Sequence, residues 1–317
     1  MSRLTEEQKR EIHYNIYEQV FQDERISLTS IARNLGLARN TVTSHFTYMI
    51  ENEILRIPTM RLKMFRDLRE YMYYLNFEKP LRVYHELMSD PRVVYHCLAS
   101  GAFDMVVLTN TPVDFEDCSS FKNCILSGPR GNYFIPHIAR VGYEEAFLKI
   151  KKAVEDDQIT RSKIPMEFPP REIEWTELEW MLFHDLKYNM RRTFTEIVKK
   201  HGISKWLFYR SYERIKENVI KLVGFYPCKQ VNYSDFFFVF KTDYEESLTE
   251  LFMQLPCISM ITKVDDHMVA WLNIVQTLPL KDFFGFLYWM SDHGYIENMM
   301  YALPVYGLYR SGNSDLV

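Results

Sequence analysis

Leu28-Thr29-Ser30-Ile31-Ala32-Arg33-Asn34-Leu35-Gly36-Leu37 and Phe194-Thr195-Glu196-Ile197-Val198-Lys199-Lys200-His201-Gly202-Ile203 share apolar positions, a threonine and a glycine at a constant offset of 166 residues. In each stretch the apolar spacing suits a short helix, and the glycine sits where a left-handed residue ends it. The register continues through Asn52 over Asn218 and Ile54 over Ile220, and Met105-Val106 meets Met268-Val269 at offset 163. A period of this length predicts an internal duplication, with units joined by Lys163 to Arg171 and its three prolines.

Helices are predicted on both sides of each quoted stretch. Ile12, Ile16 and Val20, and Leu178, Met181 and Leu182, recur at helical spacing, with Thr5/Gln8 and Thr176/Glu179 as capping boxes at the starts. A third helix runs from Arg39 to Asn52 and from Lys205 to Asn218, so each unit begins as a helix-turn-helix. Strand chemistry follows. The first unit offers Tyr71 to Phe77, a helix from Pro80 to Ser89, then Val93 to Leu98 and Phe103 to Thr109. Its next helix is poorly written, because Cys118 to Gly131 holds Pro129 and two glycines, and a distorted or looped segment is expected there. The second unit offers Phe236 to Phe240, a helix from Tyr244 to Leu255, Ile258 to Val264, Met268 to Val275, a helix from Leu280 to His293 and a last strand within Tyr295 to Tyr309.

The expected fold class is therefore α+β, two winged helix-turn-helix domains alternating with two ferredoxin-like βαββαβ domains. The boundaries fall at 1–66, 67–162, a linker at 163–171, 172–232 and 233–317.

This order of elements resembles the Lrp/AsnC (feast/famine) transcriptional regulators of bacteria and archaea. The residues that carry the resemblance are Ile31-Ala32 to Gly36-Leu37 in the helix-turn-helix and Ser100-Gly101-Ala102-Phe103-Asp104 before the strand Met105 to Thr109, which matches that family's Gly-x-x-Asp signature. The second unit has Val264-Asp265-Asp266-His267 there, without the glycine. The resemblance implies a regulator whose sheet domains pair into homo-oligomers and whose small-molecule effector binds near Ser100, Gly101, Phe103 and Asp104. Simple turn chemistry explains the same glycine and aspartate equally well.

A reading helix needs polar side chains toward base edges and flanking groups for phosphate on double-stranded DNA. In the first unit these are Arg39, Asn40, Thr41, Thr43, Ser44 and His45, with Val42, Phe46, Met49 and Ile50 left for the core. Arg39 suits a guanine and Asn40 an adenine. Arg56, Arg61 and Lys63 suit a wing along the backbone. The second unit supplies Ser204, Lys205, Tyr209, Arg210 and Arg214, but Trp206 and Tyr209 are bulky for a groove, so a scaffold packed on a neighbouring domain is the competing expectation.

Net charge is -4, but it is partitioned. Residues 1–70 carry 11 Lys+Arg against 10 Asp+Glu, residues 171–232 carry 12 against 8, and the remainder carries 15 against 24. Only the two reading segments lean basic, as phosphate binding requires. Five scattered cysteines predict reduced thiols, and the nine histidines show no zinc spacing, so neither metal nor cofactor is expected. A mixed N-terminus and the lack of a 20-residue apolar run predict a cytoplasmic protein without a membrane span. No nucleophilic triad or dinucleotide fingerprint appears, and Gly128-Pro129-Arg130-Gly131 makes a poor phosphate loop. The enzyme alternative is a tetrapyrrole decarboxylase like the siroheme decarboxylases, which look like Lrp/AsnC proteins; it would use His96, His137, Arg130 and Arg140. A regulator acting through protein contacts alone is the third reading.

Overall fold

A computed structural model describes residues 5–66, 68–166, 168 and 173–309. The chain opens with α1 (Glu6–Gln22), α2 (Leu28–Leu35), α3 (Arg39–Glu51) and a short strand β1 (Thr59–Leu62). The Thr5/Gln8 capping box forms at the start of α1, satisfying amides that the first helical turn leaves without partners. A second set of the same elements follows later: α6 (Glu177–Leu186), α7 (Phe194–His201), α8 (Lys205–Glu217) and β6 (Val219–Leu222).

β1 and β6 pair with each other, antiparallel, from Thr59 opposite Leu222 to Leu62 opposite Val219. The two head cores are completed crosswise as a result. Met60 of β1 is fully buried among Leu182, Phe208 and Ile215 of the second head, while Val223 and Phe225, just beyond β6, are buried among Ile16, Val42 and Met49 of the first. Neither head has a complete apolar core without the other's strand.

Between and after the heads lie β2 (Tyr71–Phe77), α4 (Pro80–Leu87), β3 (Val93–Gly101), β4 (Met105–Thr109), β5 (Phe121–Pro129) and α5 (Tyr143–Glu155), then β7 (Tyr233–Lys241), α9 (Glu245–Phe252), β8 (Met260–Val264), β9 (His267–Val275), α10 (Leu280–Asp292) and β10 (Glu297–Tyr309). All eight strands join one antiparallel sheet in the order β5-β2-β4-β3-β10-β7-β9-β8. Each half of that order runs fourth, first, third, second. The sheet curls until its edges meet, with Arg130 beyond β5 bridging Val264 at the end of β8. Isolated bridges at Arg130 and Phe134 cover the edge of β8 there, while β5 itself pairs, among the described residues, only with β2. Fully buried Arg130 pairs with Glu70, donates to the Gly131 carbonyl at 2.7 Å and lies 4.0 Å from the centre of the Tyr133 ring.

Two segments depart from expectation. The stretch Cys118 to Gly131 is not a distorted helix; most of it is β5, an edge strand on β2 whose register slips between Tyr74 and Leu75 and again between Asn76 and Phe77. Lys122, Asn123 and Cys124 are exposed in succession and only Leu126 is buried, so no alternation marks it, and Pro129 sits at its end, where a missing N–H costs little. Helix α5 was not anticipated. It buries Tyr143, Phe147, Ile150 and Val154 against α10 and the second half of the sheet. No described helix is long and apolar enough to cross a membrane.

The halves meet where β3 pairs with β10, Gly101 opposite Ala302. A methyl group on Gly101 would stand 2.5 Å from the Tyr301 carbonyl oxygen and 2.7 Å from the Ala302 Cα, both main-chain atoms that cannot swing aside. Gly101→Ala is expected to cost about 1–3 kcal/mol, the usual range for forced overpacking. Chemical denaturation checks it, and an unchanged midpoint would mean that the junction carries no such constraint.

Candidate nucleic-acid interface

In the first head the Ser27 hydroxyl accepts the Ser30 amide at 3.0 Å and starts α2, and Gly36 at φ 65° ends it. That left-handed residue turns the chain into α3, which buries Val42 and Met49 completely. Arg39, Asn40, Thr43 and Ser44 consequently face solvent, and Thr41 is half-buried at the edge of the same surface. Ala38 occupies the cap position of α3 and offers no side-chain acceptor, so the first-turn amides point outward beside Arg39 and Asn40, as a phosphate oxygen requires. His45 differs from this group. Its Nδ1 lies 3.1 Å from His13 Nε2, and His13 stacks on Tyr48 with ring centres 5.7 Å apart. His45 therefore ties α3 to α1.

In the second head Gly202, at φ 63°, makes the corresponding turn. The Ser204 hydroxyl accepts the Leu207 amide at 3.1 Å and caps α8, which commits it to the helix start. Lys205, Tyr209 and Arg210 are exposed. Trp206 is 67% exposed, with the Arg210 guanidinium 5.4 Å from the centre of its ring, and Tyr209 is 49% exposed while resting on Phe194 of its own head. Arg214 turns inward, donating to Glu179 at 2.9 Å and to the Glu174 carbonyl at 2.6 Å, and so braces α8 against the start of α6.

The basic residues after α3 lie on and beside the β1–β6 ribbon. Arg56 donates to the Gln230 side chain, its amide to the Gly224 carbonyl at 2.8 Å; Arg61 stands opposite Ile220; Lys63 donates to the Glu217 carbonyl at 2.9 Å. These three form a group separate from the outward side chains of α3.

Sequence reasoning missed the residues that set the heads against each other. Arg25 donates to the carbonyls of Met190 and Arg192, the latter at 2.5 Å, and Arg191 donates to those of Glu24 and Ile26, both at 2.8 Å. Arg25 and Arg191 are 166 positions apart, as are the accepting carbonyls at 24 and 190, and at 26 and 192. Extending the repeat a few residues upstream would have found them. Glu24, buried between the heads, accepts from the Tyr212 hydroxyl at 2.6 Å and pairs with Lys221 at 3.3 Å.

Ser100, Gly101, Phe103 and Asp104 form the turn from β3 to β4. Ser100 is exposed opposite Leu303, Gly101 abuts β10, and Phe103 is buried edge-on to Tyr74 with ring centres 4.9 Å apart. The Asp104 carboxylate accepts the Phe77 amide at 3.0 and 3.2 Å. Burial pushes this carboxyl upward, while that amide opposes the shift. The basic groups weighed for tetrapyrrole chemistry fall in three settings, with His137 and Arg140 both against α1. Arg130 is in the sheet seam, His137 meets Glu18 at 2.8 Å, Arg140 meets Glu11 at 3.3 Å, and His96 lies under α4 beside Tyr84.

Residues 9–56 match the family model described as winged helix-turn-helix DNA-binding. The N-terminal segment of the chain is thus similar to winged helix-turn-helix DNA-binding domains. No curated protein sequence matches it. Among solved structures it is similar to the siroheme decarboxylase NirDL in co-complex with an iron-uroporphyrin III analogue, at 11% identity and a TM-score of 0.49 over 92% of this chain and 90% of that one. A second structure of NirDL gives 11% identity and a TM-score of 0.48 over the same shares.

The histidine pair makes the first head sensitive to acid. Burial, followed by His45 and Lys9, pushes His13 down from 6.5 to about 4. The unfolded chain takes up this proton near 6.5 and the folded chain only near 4, so folded stability falls as pH drops through that window. His96, lowered to about 4, acts in the same sense, whereas Asp235, raised to about 6 by burial, acts in the opposite one. The test is therefore a comparison: His13→Gln should lose thermal midpoint less steeply than the parent between pH 6.5 and 4. Equal slopes would remove His13 from the account.

Proposed function

We propose that this protein is a sequence-specific, double-stranded-DNA-binding transcriptional regulator, built by duplication of a helix-turn-helix plus ferredoxin-like unit in the manner of the Lrp/AsnC regulators. The observation that carries the reading is the outward face of α3, where Arg39, Asn40, Thr43 and Ser44 stand together on a helix-turn-helix whose apolar side is fully packed. Small polar groups and one arginine at the start of a second helix are what base-edge contact requires.

Duplication is supported by the reciprocal contacts of Arg25 and Arg191 and by the repeated strand order in the two halves of the sheet. The pairing of two heads within one chain resembles that of a twofold dimer, but the heads differ in sequence. Lys205, Tyr209 and Arg210 on α8 supply a more aromatic and more basic second surface, which favours an asymmetric operator. Self-association through the sheet belongs to the same reading and is supported by exposed Leu303, Val305 and Tyr306 on β10. Control by a small-molecule effector also belongs to it; the contacts of Gly101 and Asp104 favour a strand-pairing and turn-capping role for those two residues. The placing of Arg130 in the seam and His96 beside Tyr84, with His137 and Arg140 paired to glutamates of α1, favours a regulator over a tetrapyrrole decarboxylase.

Selection from a random duplex pool, followed by affinity measured against salt, tests the proposal. A two-part motif is expected. Arg39→Ala and Asn40→Ala should each cost about 1–3 kcal/mol and relax the preference at one base position, whereas Lys205→Ala should weaken all sequences alike and shallow the salt slope by about one unit. A folded protein that enriches no sequence at low salt would overturn the assignment.

A further inference from the structure

A cavity of about 480 Å³ lies between the heads and the sheet, outside the α3 surface. The β1 side contributes Ile57, Thr59 and Arg61; Leu222, Gly224 and Tyr226 come from β6 and the turn after it. Glu53 and Arg56 enter from the end of α3, and Ser259, Trp271 and Asn273 from β8, β9 and the segment before them. Its size falls in the range of small-molecule sites, and its mix of aromatic and aliphatic walls with a few polar groups is that of such sites.

Two features give it a chemical preference. Trp271 Nε1 and Asn273 Oδ1 are buried side-chain atoms without a hydrogen-bond partner among the described residues, and both residues line this cavity. Leaving such an atom unsatisfied costs about 1–3 kcal/mol, so an unmet donor and an unmet acceptor around one cavity point to a guest that supplies both an acceptor and a donor. Among the described residues the ionic lining consists of Arg56, Arg61 and Glu53. Arg56 is held in place by Gln230 and by Glu53 at 3.4 Å, and Arg61 by the Met60 carbonyl at 3.0 Å and the nearby Tyr188 ring. Guanidinium groups positioned in advance in this way match a carboxylate better than a lysine would.

We propose that this cavity binds a small aromatic carboxylic acid that also carries a ring hydroxyl or ring N–H. The carboxylate faces Arg56 and Arg61, the ring lies among Trp271, Ile57 and Tyr226, and the ring donor reaches the Asn273 carbonyl oxygen. Because both heads and the sheet line the cavity, such a ligand touches all three. The site does not depend on the DNA-binding reading and would stand if that reading failed.

The test titrates the full chain calorimetrically with indole-3-acetate and 4-hydroxyphenylacetate, with their neutral amides, and with phenylacetate, which lacks the ring donor. At least one donor-bearing acid should bind with Kd below about 1 mM, at least about tenfold more tightly than its amide and than phenylacetate. Arg56→Met should erase the preference of acid over amide. Ile57→Trp, which fills the cavity, should abolish binding; should that variant misfold, Arg56→Met and the amide comparison decide alone. Absence of heat with both acids, equal binding of acids and amides, or an acid preference that survives Arg56→Met would each overturn the proposal.

Discussion

The exchange between Arg25 and Arg191 is the contact on which the arrangement of the heads depends. Each guanidinium reaches two carbonyls that flank the other arginine, so neither side can shift without breaking both pairs. The two cations are close enough that Arg25 helps to lower the affinity of Arg191 for its proton, second only to burial. Charge-assisted bonds to four carbonyls and the buried carboxylate of Glu24 offset that repulsion. Removing one arginine would leave carbonyls unsatisfied in the other head as well, and effects at the two positions should be strongly non-additive.

The same interdependence extends into the apolar layers. Met60 completes the second core and Phe225 the first, where its ring stacks on Tyr17 at 4.5 Å. Met60 sits on the β1–β6 ribbon and Phe225 three residues beyond it. Because β1 and β6 run antiparallel, each end of the ribbon joins one head to one strand of the sheet, Thr59 beside Leu222 at one end and Leu62 beside Val219 at the other, so the spacing of α3 and α8 is tied to how the sheet closes. Closure in turn rests on the β3–β10 junction at Gly101 and on the seam at Arg130 and Glu70. A buried charge pair in that seam does little for net stability, but breaking it leaves an uncompensated cation in the interior.

Most of the elements were legible in the sequence because their signals were local. Tyr71 to Phe77 is a strand, Gly36 and Gly202 turn their chains, and the order of elements after the second head was read from apolar alternation and helical spacing. What escaped is what depends on remote partners. β5 has an exposed, non-alternating face because β2 alone holds it. The segment holding Arg56, Arg61 and Lys63 suits a wing by composition, yet four-residue strands carry no mark of which partner they choose, and these side chains lie on and beside the β1–β6 ribbon. His45 and Ser204 looked like DNA contacts by type alone; one is engaged by a histidine on another helix, and the other by an amide three residues along. Gly101 was recognised as special, but the backbone pressed against it comes from 200 residues downstream.

On the proposed reading, joining the heads in one chain has a consequence that a symmetric dimer lacks. Identical heads must read identical half-sites, whereas here the α3 surface is small and polar and the α8 surface holds Trp206 and Tyr209 beside Lys205 and Arg210. Keeping an indole 67% exposed forgoes the stabilisation its burial would bring, and the Arg210 guanidinium near its ring recovers only part of it. A side chain held outward at that cost, on a helix whose inner face is fully packed, fits contact with sugar or phosphate better than insertion of a small group at a base edge. Base discrimination would then come chiefly from α3 and backbone affinity chiefly from α8, and the unequal division of labour would give the bound protein a fixed direction along the duplex.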